Sequence, residues 1–204
     1  MNYAFFWRNS IGMRILLISA GTLFVLGFLK LLIFFMNSWA LESNARNVQP
    51  FPFFEGLGKP FVVLNWENPE APKADVLWAD VFRKDEDETL WVQSAKSPVL
   101  LKEFLNSHPE KKIILNITQN KFNIHLHLEA VIVETKAQER LLIQSDYNPV
   151  ITSTKGRLPE MVYGSTPADL TRLRTYQTFG LLGFSTLPGD AFVMPLKYRT
   201  VETL

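Results

Sequence analysis

The sequence contains no cysteine. That excludes disulfides, thiolate metal sites and cysteine nucleophiles. An exported protein built without disulfides fits this, but many cytosolic proteins lack cysteine too. Histidine is scarce, at three residues. An excess of one charge sign is also missing, because 21 basic residues stand against 20 acidic ones. Nucleic-acid binding calls for a concentrated basic stripe, so no nucleic-acid partner is expected. No internal repeat and no low-complexity tract is present. What the chain does have is a division. Its mean hydropathy is only +0.04, yet residues 1–41 are strongly apolar and the remainder reads as an ordinary soluble domain.

From Ile15 to Met36 the residues are almost all apolar. At about 1.5 Å per residue, such a run crosses a hydrocarbon layer of roughly 30 Å. Lys30 is the one charge in it. Its stem reaches the interface by snorkelling; the competing reading is a contact with a partner's acidic group in the membrane. Trp7 and Trp39 flank the run where interfacial aromatics belong. Arg8 and Arg14 precede it, whereas Arg46 follows with Glu42 beside it. The positive-inside rule then puts the N-terminus in the cytoplasm and residues 42–204 outside it, in the periplasm if the source is bacterial. A cleaved signal peptide with Ser38-Trp39-Ala40 as its cleavage site is the alternative. Signal cores usually span about 7–15 apolar residues, so the length favours an uncleaved anchor.

Residues 42–60 carry three prolines, two glycines and no period, and read as a tether. Phe51, Phe53 and Phe54 are candidates for packing onto the domain. Beyond Pro60, strands are expected at 61–65, 76–81, 89–93, 113–117, 140–145, 160–163, 181–184 and 191–194. Several are near-continuous apolar runs, the pattern of buried parallel strands. A helix is expected at 98–107, with Ser97 as N-cap and Pro98 in the first turn. Another is expected at 167–177, with Thr166 as N-cap and Asp169 three residues on. Residues 122–135 fit a strand or a helix, and the spacing of their neighbours favours a crossover helix. Alternating strands and helices imply an α/β fold with a parallel sheet.

The block ADVLWADVFRKDEDETLWVQ (74–93) is similar to the pattern gaD-x-x-E-x-D-V-x-x-t-k-D-g-x-l-V-v of the glycerophosphodiester phosphodiesterase family. Further segments keep the family order. SPVLLKEFL resembles its helix tLeEvL, KKIILNITQN resembles l-x-l-N-I-E-I-K, RLLIQSDYNPVI resembles r-v-l-i-q-S-f-d-p-x-v, and GDAFVMPLK resembles g-D-x-f-v-x-P-l. The resemblance covers most of residues 60–200. It implies a (β/α)8 TIM-type barrel with its site at the C-terminal strand ends. About 145 residues follow Pro60, fewer than such a barrel usually takes, so an incomplete or modified barrel is expected behind a single N-terminal transmembrane helix. The implied organisation is a cytoplasmic N-terminus (1–14), a transmembrane helix (15–36), a tether (37–60) and a phosphodiesterase-like domain (61–204).

Enzymes of that family use two histidines as acid and base, and a divalent cation held by carboxylates. The resemblance puts Asn65 and Glu67 where the first strand ends, in place of the first histidine. Trp78 and Asp80 stand where two metal-binding carboxylates are expected, so Asp80 alone is left as a remnant metal ligand. Ser94 falls at the second histidine, and Thr118 and Asn120 fall at a later Glu and Lys. Helix material after the first strand is missing, because only NPEAPK separates it from Ala74. The expected function is therefore a membrane-tethered, catalytically degenerate module acting by binding or structure at the bilayer. Alternatives are an active phosphodiesterase using Asp80 with Glu67 and Glu70, and a non-functional remnant of a longer protein. Calcium or magnesium is the expected cation if any site survives. An open barrel leaves strand edges that a protein partner, a second copy or the aromatic tether would cover.

Other candidates are weaker. His125 and His127 would share a face if extended, but on a helix they diverge and cannot chelate together. His108 reads as a helix-terminal residue. Residues 83–88 read as a solvated turn, not a calcium loop. Gly180, Gly183 and Gly189 read as turns, not a phosphate loop.

Overall fold

The computed structural model of the protein describes residues 3–46, 51–58, 61–84, 88–185 and 189–193. The chain divides into two compact units, residues 1–48 with 173–185, and residues 49–172 with 186–204.

The first unit opens with α1 (Tyr3–Arg46). The stretch Gly12–Glu42 within it is long and apolar enough to cross a membrane. Ser19 and Thr22 donate their hydroxyls to the carbonyls of Leu16 (2.9 Å) and Ile18 (2.8 Å), so the helix satisfies its own hydroxyls. The helix runs past the apolar run at both ends. No glycine or proline interrupts the chain between Gly27 and Pro50, so part of the expected tether is helical through Arg46.

The second unit is built on a seven-stranded mixed sheet. Its elements are β1 (Val63–Asn65), β2 (Val76–Arg83), β3 (Leu90–Val92), β4 (Val99–Leu100), α2 (Leu101–Ser107), β5 (Lys112–Ile117), α3 (Ile124–Glu134), β6 (Leu141–Ser145), α4 (Asn148–Arg157), β7 (Val162–Tyr163) and the start of α5 (Pro167–Thr178), whose residues from Leu173 onward belong to the first unit. The strand order is β4-β3-β2-β5-β6-β7, with β1 also on β2. Strands β1, β2, β5, β6 and β7 pair in parallel. Strands β3 and β4 run antiparallel, which corrects the expected all-parallel sheet. One edge of β2 is shared. β1 pairs with Val76–Trp78 and β3 pairs with Val81–Arg83. A single parallel bridge, Gly164 to Ala191, continues the sheet beyond β7. Residues 192 and 193 pair with nothing regular, and the rest of the expected strand at 191–194 lies outside the described residues. Among the described residues the sheet is open, so no closed barrel is formed there.

Alternation along the central strands splits their side chains between two faces. Leu77, Ala79, Val81, Ile113, Leu115, Ile117, Leu141, Ile143 and Tyr163 form the outer core. Leu101, Phe104 and Leu105 of α2, Ile124, Leu128 and Ile132 of α3, and Val150 and Ile151 of α4 cover it. The inner face starts with Val76, Ile114, Leu142 and Val162, and among the described residues no α-helix contributes to this cluster. Phe53, 1% exposed, closes it from the tether. Lys112, the first residue of β5, donates its ammonium to the carbonyls of Phe53 (2.6 Å), Pro52 (3.2 Å) and Glu55. The tether is thus stapled under the inner face by apolar contact and by charged hydrogen bonds.

Three local expectations are corrected. α2 starts at Leu101, not Pro98, because Val99 and Leu100 are held extended by their ladder to Trp91 and Val92. Residues 148–157, left without an element by pattern, form α4. Their β-branched residues and Gly156 are poor helix formers, so packing of Val150, Ile151 and Thr154 decides the matter. In place of the strand expected at 181–184, Leu182–Phe184 form a 3-10 turn. Gly180 ends α5 in the left-handed region at φ 68°. The N–H of Leu181 then bonds the Tyr176 carbonyl (2.8 Å) and that of Gly180 the Gln177 carbonyl (3.0 Å), a Schellman turn.

Other ends behave as the sequence implies. Thr166 and Asp169 form a reciprocal box at the start of α5: the Thr166 N–H reaches Asp169 Oδ2 (2.9 Å) and the Asp169 N–H reaches Thr166 Oγ1 (3.3 Å). His108 follows α2 with Nδ1 3.0 Å from the Phe104 carbonyl. Arg140 donates to the carbonyls of Leu105 (2.9 Å) and His108 (2.8 Å), a cation placed at the negative end of a helix. Between β1 and β2 the chain has a short 3-10 turn (Ala71–Lys73). Beside it lies a groove of about 530 Å³ lined by residues that include Trp66, Leu77 and His108.

Candidate functional site

Above the apolar floor the inner face turns polar. Register places Asp80 opposite Asn116 and Asn116 opposite Gln144. The next partner in that row is Gly164, which follows Tyr163, the partner of Ile143. Three parallel strands, β2, β5 and β6, therefore carry one polar row, flanked by Gly164 and lying towards the C-terminal ends where α/β sheets place ligands. Strand alternation makes this necessary, because Val76, Trp78 and Asp80 are two residues apart, as are Ile114 and Asn116, and Leu142 and Gln144.

The half-buried Asp80 is held by neutral donors. Its Oδ1 accepts the Asn116 amide (2.7 Å) and the Trp78 indole N–H (3.0 Å). Gln144 is buried, and its Oε1 has no hydrogen-bond partner in the structure. It takes the room a side chain at position 164 would need, since a Cβ on Gly164 would overlap the Gln144 amide. Ser165, next along the chain, also has a buried hydroxyl oxygen without a partner.

A second polar group lies where β1 and β3 end. Glu67 Oε1 accepts the Ser94 hydroxyl (2.7 Å) and the Ala95 N–H (2.8 Å). The Ser94 hydroxyl, and then the Ala95 N–H, hold the exposed Glu67 carboxyl below the ordinary carboxylate range. It therefore stays ionised at neutral pH and is poorly suited to deliver a proton. Asn65 spends its side-chain oxygen on its own turn, accepting the Glu67 N–H at 2.9 Å. Asn68 does the same for the Glu70 N–H (2.8 Å).

Of the residues singled out from sequence, Glu67 and Ser94 are brought together, as are Trp78 and Asp80. No described hydrogen bond joins the two groups. Thr118 is exposed and donates to the Val81 carbonyl (3.1 Å), and Asn120 is exposed with no described bond. Among the described residues, no three His, Asp or Glu side chains form a group able to hold a metal ion. His125 and His127 both lie on α3, and His127 Nε2 is 3.6 Å from Glu88. Of the expected turn at 83–88, residues 85–87 lie outside the described residues. Sequence reading missed Asn116 and Gln144 as site residues. Each was visible as a polar residue inside an apolar strand, two positions after a floor residue.

No protein-family model and no curated protein matches the chain. Solved structures with a similar course of chain are glycerophosphodiester phosphodiesterases. One from Parabacteroides distasonis is 10% identical with a TM-score of 0.46, covering 58% of this chain and 70% of that one. A protein from Silicibacter pomeroyi assigned as a glycerophosphoryl diester phosphodiesterase is 12% identical with a TM-score of 0.48, covering 64% and 77%. One from Galdieria sulphuraria, with the same assignment, is 13% identical at a TM-score of 0.40, covering 52% and 60%.

Proposed function

We propose that this chain is a membrane-tethered, catalytically degenerate phosphodiesterase-like domain that works as a binding or structural module at the membrane surface. The observation that carries the reading is the setting of Asp80. Its Oδ1 takes an indole N–H and an amide N–H, and an indole N–H can only donate. A calcium ion takes about six to eight oxygen ligands, commonly from several carboxylates. The residues around Asp80 do not fit such an ion. Glu67 is engaged by Ser94 and Ala95, and no described hydrogen bond joins it to the Asp80 pair. Each missing proton-transfer group costs roughly 10²–10⁴-fold in rate, and neither family histidine has a counterpart in this sequence. The anchor is α1, with its N-terminus in the cytoplasm; Arg8 and Arg14 ahead of the apolar run support that direction.

The test is glycerophosphodiester hydrolysis by the full chain in detergent with calcium or magnesium, alongside calorimetric titration with each metal. The expected outcome is turnover no greater than the blank and no saturable heat. Turnover that disappears in Asp80→Ala would overturn the reading and restore the rearranged-site enzyme.

A further inference from the structure

In the first unit, a short apolar turn lies beside the end of the membrane-length helix. Residues 179–184 read FGLLGF. Phe179 is 68% exposed and Phe184 44%, while Leu181 and Leu182 are half-buried. Two exposed phenylalanines on one turn are a costly surface in water and a favourable one against lipid.

The turn is fastened to α1. The Gly183 N–H donates to Asn37 Oδ1. A Cβ at Gly183 would overlap the Asn37 carbonyl and meet Ala40 Cβ at 2.9 Å, so only glycine allows this approach. From Gly12 to Glu42, the residues of α1 that are partly covered are Ile33, Asn37 and Ala40. They are spaced four and three apart and so share one helix face. The apolar run of α1 ends at Met36, so the contact falls where hydrocarbon gives way to headgroups. Trp39, 74% exposed, stands at that level, where interfacial tryptophans belong. The turn therefore continues the lipid-facing surface of the helix sideways. Arg174, exposed on the last turns of α5, adds a cation of the kind that favours anionic headgroups.

We propose that residues 179–184 form a second membrane element, one that enters the interface without crossing it, with Phe179 and Phe184 inserted among the lipids where α1 emerges. The occupant of this surface is lipid. The inference rests on α1 being a membrane span. It gives the first unit a second point of contact with the bilayer beside α1.

The natural chain has no cysteine, so single-cysteine variants can be labelled cleanly. Full-length F179C, F184C, V25C and E103C carry an environment-sensitive nitrobenzoxadiazole in vesicles of phosphatidylcholine and phosphatidylglycerol, with spin-labelled lipid as quencher. The expected result is blue-shifted emission at 179 and 184, with quenching several-fold greater than at 103 and strongest for a spin label near the headgroups. The label at 25 is expected to be quenched best by a spin label deep in the chains. In a G183V background the quenching at 184 should fall towards that at 103, while that at 25 stays. Labels at 179 and 184 that match 103 while 25 remains in lipid overturn this proposal and leave the span standing. A label at 25 in water overturns both. Blue-shifted but unquenched labels at 179 and 184 mean a protein cover, such as a second copy, and overturn the lipid assignment. Unchanged quenching at 184 in G183V overturns the attachment to α1.

Discussion

The inner face of the sheet holds two layers a few residues apart along the same strands. The lower layer, Val76, Ile114, Leu142 and Val162, is apolar and is closed by Phe53 with Lys112 bonding the carbonyls around it. The upper layer, Asp80, Asn116 and Gln144, is polar and only partly satisfied internally. Both are dictated by the same alternation of strand side chains. The lower layer has the apolar burial of a stabilising element, edged by an ammonium bonded to three carbonyls. The upper layer keeps polar groups in a place where a fold gains little from them, as sites do and cores do not.

The contrast is broken most severely by removing the plug. Phe53→Ala should destabilise the full chain by about 3–5 kcal/mol, the usual cost of losing a buried aromatic. Urea unfolding in detergent, followed by tryptophan fluorescence, to which Trp66, Trp78 and Trp91 of the sheet unit contribute, measures it; a loss below about 1 kcal/mol would mean that the tether does not close the floor. Lys112→Met comes next. It keeps the stem and removes donors to three carbonyls, which should cost about 2–3 kcal/mol, given that hydrogen bonds to charged groups contribute about 1.5–3 kcal/mol. The same unfolding measurement applies, and the double variant with Phe53→Ala should fall short of the sum, because both changes release one segment.

At the upper layer the expected effects are smaller. Asp80→Ala leaves the Trp78 indole and the Asn116 amide without their acceptor, a loss of about 1–3 kcal/mol. Millimolar calcium should raise the melting temperature of neither the natural chain nor this variant. Stabilisation of the natural chain alone would turn the upper layer into a metal site. The smallest effect is at Glu67. Its carboxyl titrates below the ordinary value because Ser94 and Ala95 bond its ionised form. A depressed folded value gives stability that is present above the unfolded pKa and lost as pH falls through the folded one. Carbon-detected NMR titration should show the depressed midpoint, and Ser94→Ala should move it back up towards the ordinary value.

How much was legible in the sequence follows from what each signal depends on. β6 is a fully buried run and β2 and β5 are largely buried, and their apolarity marks them without any tertiary knowledge. α5 is marked by Thr166, Pro167 and Asp169, whose bonds are local. α4 was hidden because its sequence, NPVITSTKGR, has little helical preference and is held by neighbours distant in sequence. The turn at 182–184 was misread as a strand because Leu181, Leu182 and Phe184 are apolar for the sake of the first unit, not for a sheet. At the candidate site, Asp80 and Ser94 were singled out through the resemblance. That Glu67 pairs with Ser94 and Asp80 with Asn116 was not, since registers between strands are not written in either strand alone.

The shared edge of β2 also bears on the order in which the sheet assembles. Strands β2, β3 and β4 follow one another along the chain and pair as antiparallel neighbours. Each parallel pair β2 to β5, β5 to β6 and β6 to β7 must first close a loop that contains at least one helix. Loop closure is an entropic cost met before the contacts repay it, so local pairings tend to form first. The β2–β3–β4 meander is therefore the expected seed of the sheet, with the parallel strands added outward from β2. Pulse-labelled hydrogen exchange during refolding would read this as early protection at Trp91 and Val92 and late protection at Leu142 and Ile143. Simultaneous protection would mean that the sheet forms in one cooperative step.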